Sequence, residues 1–256
     1  MEISGKTVVI TGGASGIGRA LAQRFHAEGA AHVCVADLQA DALAEVASSV
    51  NGTAIICDVA DEAQVKNLVA KAIDVMGHID VFCSNAGIAV LGDEHESNDM
   101  WQKNWDIHVM GHVYAARAVV QHMVTRGGGY LVNTASAAGL LSHVNSATYS
   151  VTKHAAVAFA EWLSINYGGD GVRVSVLCPQ AVRTAMTQGR EAGVASVDGM
   201  MEPEVLAESV VTTMDKEEFL ILPHPEVLTY LQRKAGDYDR WLGGMQRLKQ
   251  KFNGTV

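Results

Sequence analysis

The fold of this chain is decided near its start by the stretch Thr7-Val8-Val9-Ile10-Thr11-Gly12-Gly13-Ala14-Ser15-Gly16-Ile17-Gly18. Its first five residues form a β-branched run, which is typical of a buried parallel strand. A glycine-rich turn follows at once, and a helical pattern of apolar residues begins at Ala20. At such a junction, backbone N–H groups converge on phosphate oxygens and the helix dipole favours negative charge. The stretch therefore predicts an α/β fold with a phosphate-binding turn, although its glycines are not spaced as in the commoner G-x-G-x-x-G fingerprint.

Beyond this junction, short strands rich in Val, Ile and Cys alternate with amphipathic helices. This alternation predicts a single Rossmann-type, doubly wound parallel sheet with helices on both faces. The seven predicted strands lie near 7–11, 32–36, 54–57, 80–84, 130–134, 172–177 and 219–222. The predicted helices lie near 15–28, 40–49, 61–76, 100–123, 147–167 and 203–214. The 256 residues, 48% of them hydrophobic and 18% charged, suit one catalytic domain over 1–256, in which 222–256 form a C-terminal helical extension.

The end of the second strand indicates which dinucleotide the turn binds. Asp37 follows the strand at 32–36, about 20 positions beyond the glycines, where an acidic side chain can hydrogen-bond the adenosine ribose hydroxyls. The same carboxylate would repel a 2′-phosphate. Neither Ser15 nor Leu38 adds a positive charge that would offset this repulsion. The sequence therefore favours NAD over NADP.

Tyr149 and Lys153 are the pair that most strongly indicates chemistry. Residues four apart lie on the same face of a helix, so a phenol and an ammonium group would stand side by side. A cation about 4 Å away, at an effective dielectric constant of ~20, contributes roughly 4 kcal/mol. This would lower the pKa of the phenol by about three units, towards the physiological range. The pair therefore predicts a general acid/base, and the alternative is a surface tyrosine beside a solvated lysine.

Taken in order, the motifs resemble the short-chain dehydrogenase/reductase family over residues from about 5 to about 222. They are Thr11-Gly12-x-x-x-Gly16-x-Gly18, Asp58-Val59, Asn85-Ala86-Gly87, Ser136, Tyr149-x-x-x-Lys153 and Cys178-Pro179 through Thr184. The resemblance implies that Tyr149 is the general acid/base, that Ser136 holds the substrate oxygen, and that Lys153 binds the nicotinamide ribose and lowers the tyrosine pKa. It implies NAD contacts at Gly12, Ser15, Gly16, Ile17, Gly18, Asp37, Leu38, Asp58, Val59, Asn85, Ala86, Gly87, Tyr149, Lys153, Pro179, Val182 and Thr184.

Two positions depart from the family pattern. His108 stands where most members carry an asparagine that kinks the helix and holds a water of the proton relay. An imidazole can donate and accept hydrogen bonds, so His108 could act as a catalytic relay residue or could be a ring that fills a gap. Gln180 stands where the family usually places a glycine after Pro179, and it adds an amide to the edge of the pocket.

The substrate should lie beyond the carboxyl ends of the strands, as ligands do in open parallel sheets. Three segments, 88–95, 140–145 and 185–202, should line that crevice, and the part 188–201 is predicted to act as a lid. The predicted substrate contacts are Ser136, Leu141, His143, Gln180 and Met186. Because these segments are mostly apolar, we expect a mostly apolar secondary alcohol or its ketone. The predicted function is hydride transfer between this substrate and NAD, and the alternatives are a non-redox epimerase or lyase of the same family, or an NAD-binding sensor or scaffold.

Charge and cysteine usage exclude several other classes. The net charge is −9 with no basic cluster, so a nucleic-acid partner is not expected. No apolar run approaches the length of a membrane span, and the first strand leaves no room for a signal peptide, so a cytoplasmic protein is expected. The four cysteines lie in or at the ends of separate predicted strands, without metal-ligand spacing. They indicate a reducing compartment and no metal site.

The C-terminal extension carries an apolar stripe at helical spacing, formed by Tyr238, Trp241, Leu242, Met245 and Leu248. Either it packs on the flank of the domain, or it covers the substrate cleft or contacts another subunit. By resemblance to the family, the chain should form a homodimer or homotetramer through the helices at 112–123 and 149–167.

Overall fold

The computed structural model describes residues 1–90, 92–189 and 192–252. Leu91 and Arg190, which fall in the segments predicted to line the crevice, therefore lie outside the described residues.

Seven parallel strands form one sheet in the described part of the chain, in the order β3-β2-β1-β4-β5-β6-β7. Their bounds are β1 Thr7–Thr11, β2 His32–Asp37, β3 Thr53–Ile56, β4 Val81–Ser84, β5 Gly129–Thr134, β6 Val172–Leu177 and β7 Leu220–Ile221. The predicted doubly wound parallel sheet is thus confirmed, with each strand within two residues of its expected ends. The order reverses between β1 and β4, which opens a crevice at their carboxyl ends.

Ten α-helices surround the sheet in the described residues. Their bounds are α1 Gly16–Ala27, α2 Ala40–Ser49, α3 Glu62–Met76, α4 Asn98–Trp105, α5 Gly111–Thr125, α6 Ala138–Leu141, α7 Ala147–Tyr167, α8 Pro203–Asp215, α9 Glu226–Gly236 and α10 Tyr238–Lys251. One side of the sheet is covered by α3, α5 and α7 and the other by α1, α2 and α8. Alternate strand residues supply the two cores: Val9 packs on the first side, and Val8 and Ile10 on the second.

The single helix predicted over 100–123 is wrong in its middle. Residues Asp106–Met110 form a π-helical turn that separates α4 from α5. A π turn inserts one residue into a helix without interrupting the apolar pattern on either side, so periodicity alone does not reveal it. The turn places His108 inside the molecule with no exposed surface.

The predicted helical extension is found as the pair α9 and α10, and its residues 253–256 lie outside the described residues. Asp237 separates the two helices, and its carboxylate accepts a hydrogen bond of 3.0 Å from the backbone N–H of Arg240. Within the described residues, no helix is both long and apolar enough to cross a bilayer.

Candidate active site

The glycine turn after β1 is shaped by close backbone contacts. Gly12 has a φ of +66°, and a Cβ there would lie 2.8 Å from the Cα of Ala86. A Cβ on Gly18 would lie 2.0 Å from the carbonyl oxygen of Gly12, so α1 can approach the turn only with a glycine at that position. Gly18 therefore packs closely under the turn, and its predicted contact with the cofactor stays a prediction.

Asn85 joins the ends of three neighbouring strands. Its amide nitrogen Nδ2 donates to the carbonyl of Thr11 at 3.1 Å, and its Oδ1 accepts from the hydroxyl of Thr134 at 3.2 Å. The hydroxyl of Thr11 accepts from the backbone N–H of Asn85 at 3.0 Å. These bonds fix the carboxyl ends of β1, β4 and β5 relative to one another, which makes the floor of the crevice rigid.

Asp37 lies at the end of β2, beside the glycine turn. Its carboxylate accepts hydrogen bonds from the backbone N–H groups of Ala14 at 3.2 Å, Leu38 at 2.7 Å and Gln39 at 3.2 Å. The acidic group is thus held at the predicted place by the same backbone that forms the turn. The side chain of Leu38 next to it is 63% exposed, so this end of the crevice offers an apolar surface beside a negative charge.

Ser136 and Tyr149 meet in the crevice. The hydroxyl of Ser136 accepts from the backbone N–H of Ala138 at 3.1 Å and donates to the carbonyl of Pro179 at 3.4 Å. Ser146 caps α7 by accepting from the backbone N–H of Tyr149 at 3.2 Å, so the tyrosine stands in the first turn of that helix. The Ser136 hydroxyl and the phenol of Tyr149 both line the same cavity, and the hydroxyl acts on the pKa of the phenol. The two hydroxyls predicted to meet one substrate oxygen are therefore adjacent.

Lys153 lies one helical turn after Tyr149 and is 3% exposed. Its Nζ donates to the carbonyl of Thr134 at 3.0 Å and lies 5.6 Å from the centre of the Tyr149 ring. Burial lowers the pKa of the lysine to about 8. The predicted pairing of the two side chains on one helical face is found, with the ammonium tied to the end of β5.

The expected lowering of the Tyr149 pKa is wrong in sign. Burial raises the pKa of this phenol above its ordinary value, and the nearby Ser136 side chain opposes that rise without cancelling it. Desolvation disfavours the charged form of an acid, and here it exceeds the favourable contacts. The phenol of the described structure is therefore protonated at neutral pH.

His108 uses both of its ring nitrogens within the protein. Nε2 accepts from the backbone N–H of Ile88 at 3.0 Å, so Nδ1 carries the proton and faces the hydroxyl of Thr152 at 3.0 Å. Burial, and next the positive charge of Lys153, hold its pKa well below the ordinary value. The ring lies edge-on to Tyr149, with centroids 5.5 Å apart. The role of His108 in the proton relay stays a prediction.

His112, one turn further along, was not singled out from the sequence. It is buried, and neither of its ring nitrogens has a hydrogen-bond partner in the described part of the chain. Burial, and then the charge of Lys153, lower its pKa to about 3. A histidine on a helix gives no sequence signal that distinguishes a buried ring from an exposed one.

These groups surround one cavity of about 470 Å³ at the carboxyl ends of the strands. Apart from Gly18, every residue predicted to contact NAD lines this cavity, as do Ser136, Leu141, His143, Gln180 and Met186. His108 lies behind the wall, 3.5 Å from the position that a Cβ on Gly87 would occupy. The structure thus brings residues from all six predicted motifs to one cavity.

The C-terminal extension forms part of the same cavity. Tyr230 from α9 and Trp241, Met245 and Leu248 from α10 line it, as does Leu141 from α6. Of the two interpretations of the apolar stripe, the structure therefore favours the cover over the substrate cleft. The residues that follow strand β7 could be recognised as helical from the sequence, but their position over the cleft could not.

Gln180 and Asp198 connect the segment at 192–202 to this cover. The amide of Gln180 donates to one oxygen of Asp198 at 2.9 Å, and the hydroxyl of Tyr230 donates to the other oxygen at 2.9 Å. The glutamine that departs from the family pattern therefore ties the predicted lid to the loop after β6. Asp198 carried no signal in the sequence, because its partners lie 18 and 32 positions away.

Comparison with known proteins identifies the family. The family model for short chain dehydrogenases matches residues 6–195. The chain belongs to the short-chain dehydrogenase/reductase family. The meso-2,3-butanediol dehydrogenase of Serratia marcescens is 36% identical over 193 residues, which cover 74% of this chain and 76% of that protein. The 1-deoxy-11-beta-hydroxypentalenate dehydrogenase of Streptomyces exfoliatus is 35% identical over 251 residues, which cover 93% of this chain and 90% of that protein.

Solved structures of this family agree over nearly the whole fold. A short-chain dehydrogenase/reductase from Burkholderia phymatum, in complex with NAD, superposes with a TM-score of 0.87 and 27% identity. The alignment covers 93% of this chain and 96% of that one. Levodione reductase superposes with a TM-score of 0.79 and 27% identity, covering 86% of this chain and 96% of that one.

The four cysteines lie in the interior of the fold. Cys34, Cys57, Cys83 and Cys178 are free and buried, and burial is the main cause that raises the pKa of the Cys178 thiol to about 12. Among residues 1–90, 92–189 and 192–252, no group of three side chains is placed to hold a metal ion.

Proposed function

We propose that this short-chain dehydrogenase transfers a hydride between NAD and a mostly apolar secondary alcohol or its ketone, with Tyr149 as the general acid/base. The observation that carries the proposal is the convergence of Ser136, Tyr149 and Lys153 on the cavity that also contains the glycine turn and Asp37. A protein that only sensed the nucleotide would have no need of the serine and the tyrosine beside it. The membership of the chain in a family of dehydrogenases supports the same conclusion.

The residues present fit the dinucleotide. The turn at Gly12 leaves a cradle that a Cβ would fill, and helix α1 begins directly after it. Gly12 and Gly16 would hold the pyrophosphate, Asp37 the adenosine ribose, and Lys153 the nicotinamide ribose. NAD, when bound, accepts the hydride from the alcohol carbon.

The proton of the alcohol is the part of the reaction that the protein itself handles. Ser136 would orient the substrate oxygen towards the phenol of Tyr149, since both hydroxyls line the same cavity. In the reductive direction, the protonated phenol donates its proton to the ketone oxygen. In the oxidative direction, the phenolate accepts the hydroxyl proton of the alcohol. Because burial raises the pKa of Tyr149, the protonated form needed for reduction predominates at neutral pH.

The substrate half of the cavity indicates the class of alcohol. Its walls are largely apolar and include Leu141, Met186, Val194, Trp241 and Met245. Such walls favour an apolar body around the carbinol, since apolar surface is removed from water on binding. The names of the similar proteins, which are dehydrogenases of butanediol, a hydroxypentalenate and a cyclohexadiene diol, support a substrate with an alcohol group.

A panel assay tests the proposal. The enzyme is mixed with NAD or NADP and with secondary alcohols of increasing apolar bulk, and NADH or NADPH is followed by absorbance. We expect turnover with NAD, faster than with NADP, and a preference for apolar substrates. Tight binding of NAD with no turnover of any alcohol or ketone in a broad panel would contradict the proposal and favour a binding protein. Turnover of a substrate without net NADH would favour an epimerase or lyase.

We also infer a homo-oligomer and a cytoplasmic location. One face of α7 carries exposed apolar side chains, with Trp162 at 50% and Ile165 at 81% exposure, and such a patch supports burial against a second subunit. Both lie in the helix 149–167 through which the family resemblance predicts a homodimer or homotetramer. The free, buried cysteines support a reducing compartment such as the cytoplasm.

A further inference from the structure

A buried lysine in the C-terminal extension has contacts that the reaction does not explain. Lys234 of α9 is 9% exposed, and its Nζ donates to the carbonyl of Leu140 at 2.7 Å. It also lies 5.0 Å from the centre of the Trp241 ring and 5.6 Å from that of Tyr238. A buried ammonium is costly unless its hydrogens are satisfied, and here a carbonyl and two aromatic faces surround it.

His154 supplies a further acceptor for this ammonium. Its Nδ1 donates to the carbonyl of Ser150 at 2.8 Å, which leaves Nε2 unprotonated and 3.4 Å from the Nζ of Lys234. Burial lowers the pKa of this histidine, and the charge of Lys234 lowers it further, so the ring is neutral and can accept. Lys234 therefore contacts α6, α7 and α10 at once.

Two of these contacts, with Leu140 and with Trp241, lead to walls of the substrate cavity. Leu140 lies in the short helix α6, whose first residue, Ala138, bonds the hydroxyl of Ser136 and whose last residue, Leu141, lines the cavity. Trp241 of α10 lines the same cavity. The carbonyls in the last turn of a helix lack intrahelical partners, so the one at Leu140 is a natural anchor for a cation.

We propose that Lys234 is a positioning residue that clamps the C-terminal helices onto α6 and thereby sets the width of the substrate cavity. The inference rests on the proposed function, since it concerns the walls that receive the alcohol. Lys234 touches neither the nucleotide half of the cavity nor the reacting hydroxyls. Its loss should therefore change the selection between small and bulky alcohols and leave NAD binding intact.

The test compares Lys234→Met with wild type, using isopropanol as the small substrate and menthol as the bulky, mostly apolar one. Methionine keeps the apolar stem and removes the ammonium. We expect KM for the bulky alcohol to rise by about tenfold or more, the scale of losing a charged hydrogen bond. The values of kcat and the dissociation constant of NAD should stay close to wild type, as should the KM for isopropanol.

Two further variants keep the test decisive. Lys234→Gln retains a donor for the Leu140 carbonyl without the charge, so it should raise the KM for menthol by less than Lys234→Met does. It also replaces Lys234→Met in the test if the methionine variant does not fold. Lys251→Met, an exposed lysine on α10, is the matched control and should behave as wild type. The inference would be overturned if the ratio of kcat/KM for menthol to kcat/KM for isopropanol were unchanged in both Lys234 variants. An equal fall in kcat/KM for the two alcohols would overturn it as well.

Amide hydrogen exchange separates this inference from the proposed function. In Lys234→Met, exchange should speed up in 138–141 and 238–251, and the glycine turn at 12–18 should exchange as in wild type. If wild type turned over no alcohol, the proposed function would fail, while faster exchange in these two segments would still support the clamp. Unchanged exchange there would overturn the clamp whatever the activity.

Discussion

At the scale of single residues, Tyr149 is subject to two opposing influences on its proton. Its neighbourhood on α7 could be predicted, because a spacing of four residues fixes which side chains share a helical face. The sign of its pKa shift could not be predicted, because the sequence does not reveal how fully the fold removes water from the phenol. In the structure, burial has the larger effect on the pKa of Tyr149, and the ammonium of Lys153 donates a hydrogen bond to the carbonyl of Thr134.

The raised pKa of Tyr149 makes a prediction about pH. Since oxidation needs the phenolate and burial keeps the phenol protonated, kcat/KM for alcohol oxidation should keep rising with pH towards about 10, the ordinary value for tyrosine. Reduction of the ketone, which needs the protonated phenol, should stay nearly constant up to about pH 10. Initial rates in both directions between pH 6 and pH 10 measure this. A plateau of the oxidation rate reached near neutral pH would contradict it.

Lys153 makes a prediction about stability. Its pKa is about 8 in the folded protein and 10.5 for a lysine in water, so the unfolded chain holds more proton between these values. Stability is therefore reduced below pH 8 and recovers as the pH rises, by about 3 kcal/mol in all. The unfolding free energy of wild type minus that of Lys153→Met should rise by about 2–3 kcal/mol from pH 7 to pH 10. Urea unfolding measures it, with exposed Lys216→Met as control, and a flat difference would contradict it.

At the scale of elements, the bounds of strands and helices could be predicted from the sequence wherever the hydrophobic period and the flanking turn residues indicated the same ends. Helix α7 begins and ends at the predicted residues, 147 and 167, because Ser146 caps one end and glycines follow the other. The π turn at Asp106–Met110 could not be predicted from the sequence, since the apolar pattern continues through it. The turn brings His108 against Tyr149, and His112 one turn later is left buried without a described partner.

His112 should therefore weaken the fold. Replacing it by leucine removes a buried unpaired donor, which should raise the unfolding free energy by about 1–3 kcal/mol at pH 7.5. Because its pKa is about 3 when folded and 6.5 for a histidine in water, wild type loses stability as the pH falls below 6.5. The advantage of His112→Leu should grow by about 2 kcal/mol at pH 5.

Urea unfolding at both pH values measures this effect. His95→Leu is the matched control, because the His95 side chain is 84% exposed and should change stability little. A His112→Leu variant less stable than wild type at pH 5 would show that the ring is held by favourable contacts, contrary to the account.

At the scale of the whole molecule, the motifs located the cavity because five of the six follow the carboxyl end of a strand, and the strand order brings those ends together. The substrate half depended on contacts between distant segments. Asp198 with Tyr230 and Lys234 with Leu140 join parts of the chain 32 and 94 residues apart. No local pattern encodes such pairs, so the cover formed by α9 and α10 could be stated only as one of two alternatives.

The exposed face of α7 leads to a prediction about assembly. Replacing both Trp162 and Ile165 by glutamate should dissociate the oligomer, because two charges would be buried in an apolar contact. Sedimentation velocity measures the mass of wild type and variant. Val205→Glu on α8, also at an exposed apolar residue, is the control and should leave the mass unchanged. A monomeric wild type would contradict the inferred homo-oligomer.

The most direct measurement is the turnover of Tyr149→Phe with NAD and the best alcohol of the panel. The substitution removes one hydroxyl and keeps the ring that packs against His108. The account predicts a fall in kcat of about 10²–10⁴-fold with NAD still bound, while Tyr167→Phe, at the far end of the same helix, turns over as wild type does. A Tyr149→Phe enzyme that oxidised the alcohol at the wild-type rate would contradict the central claim.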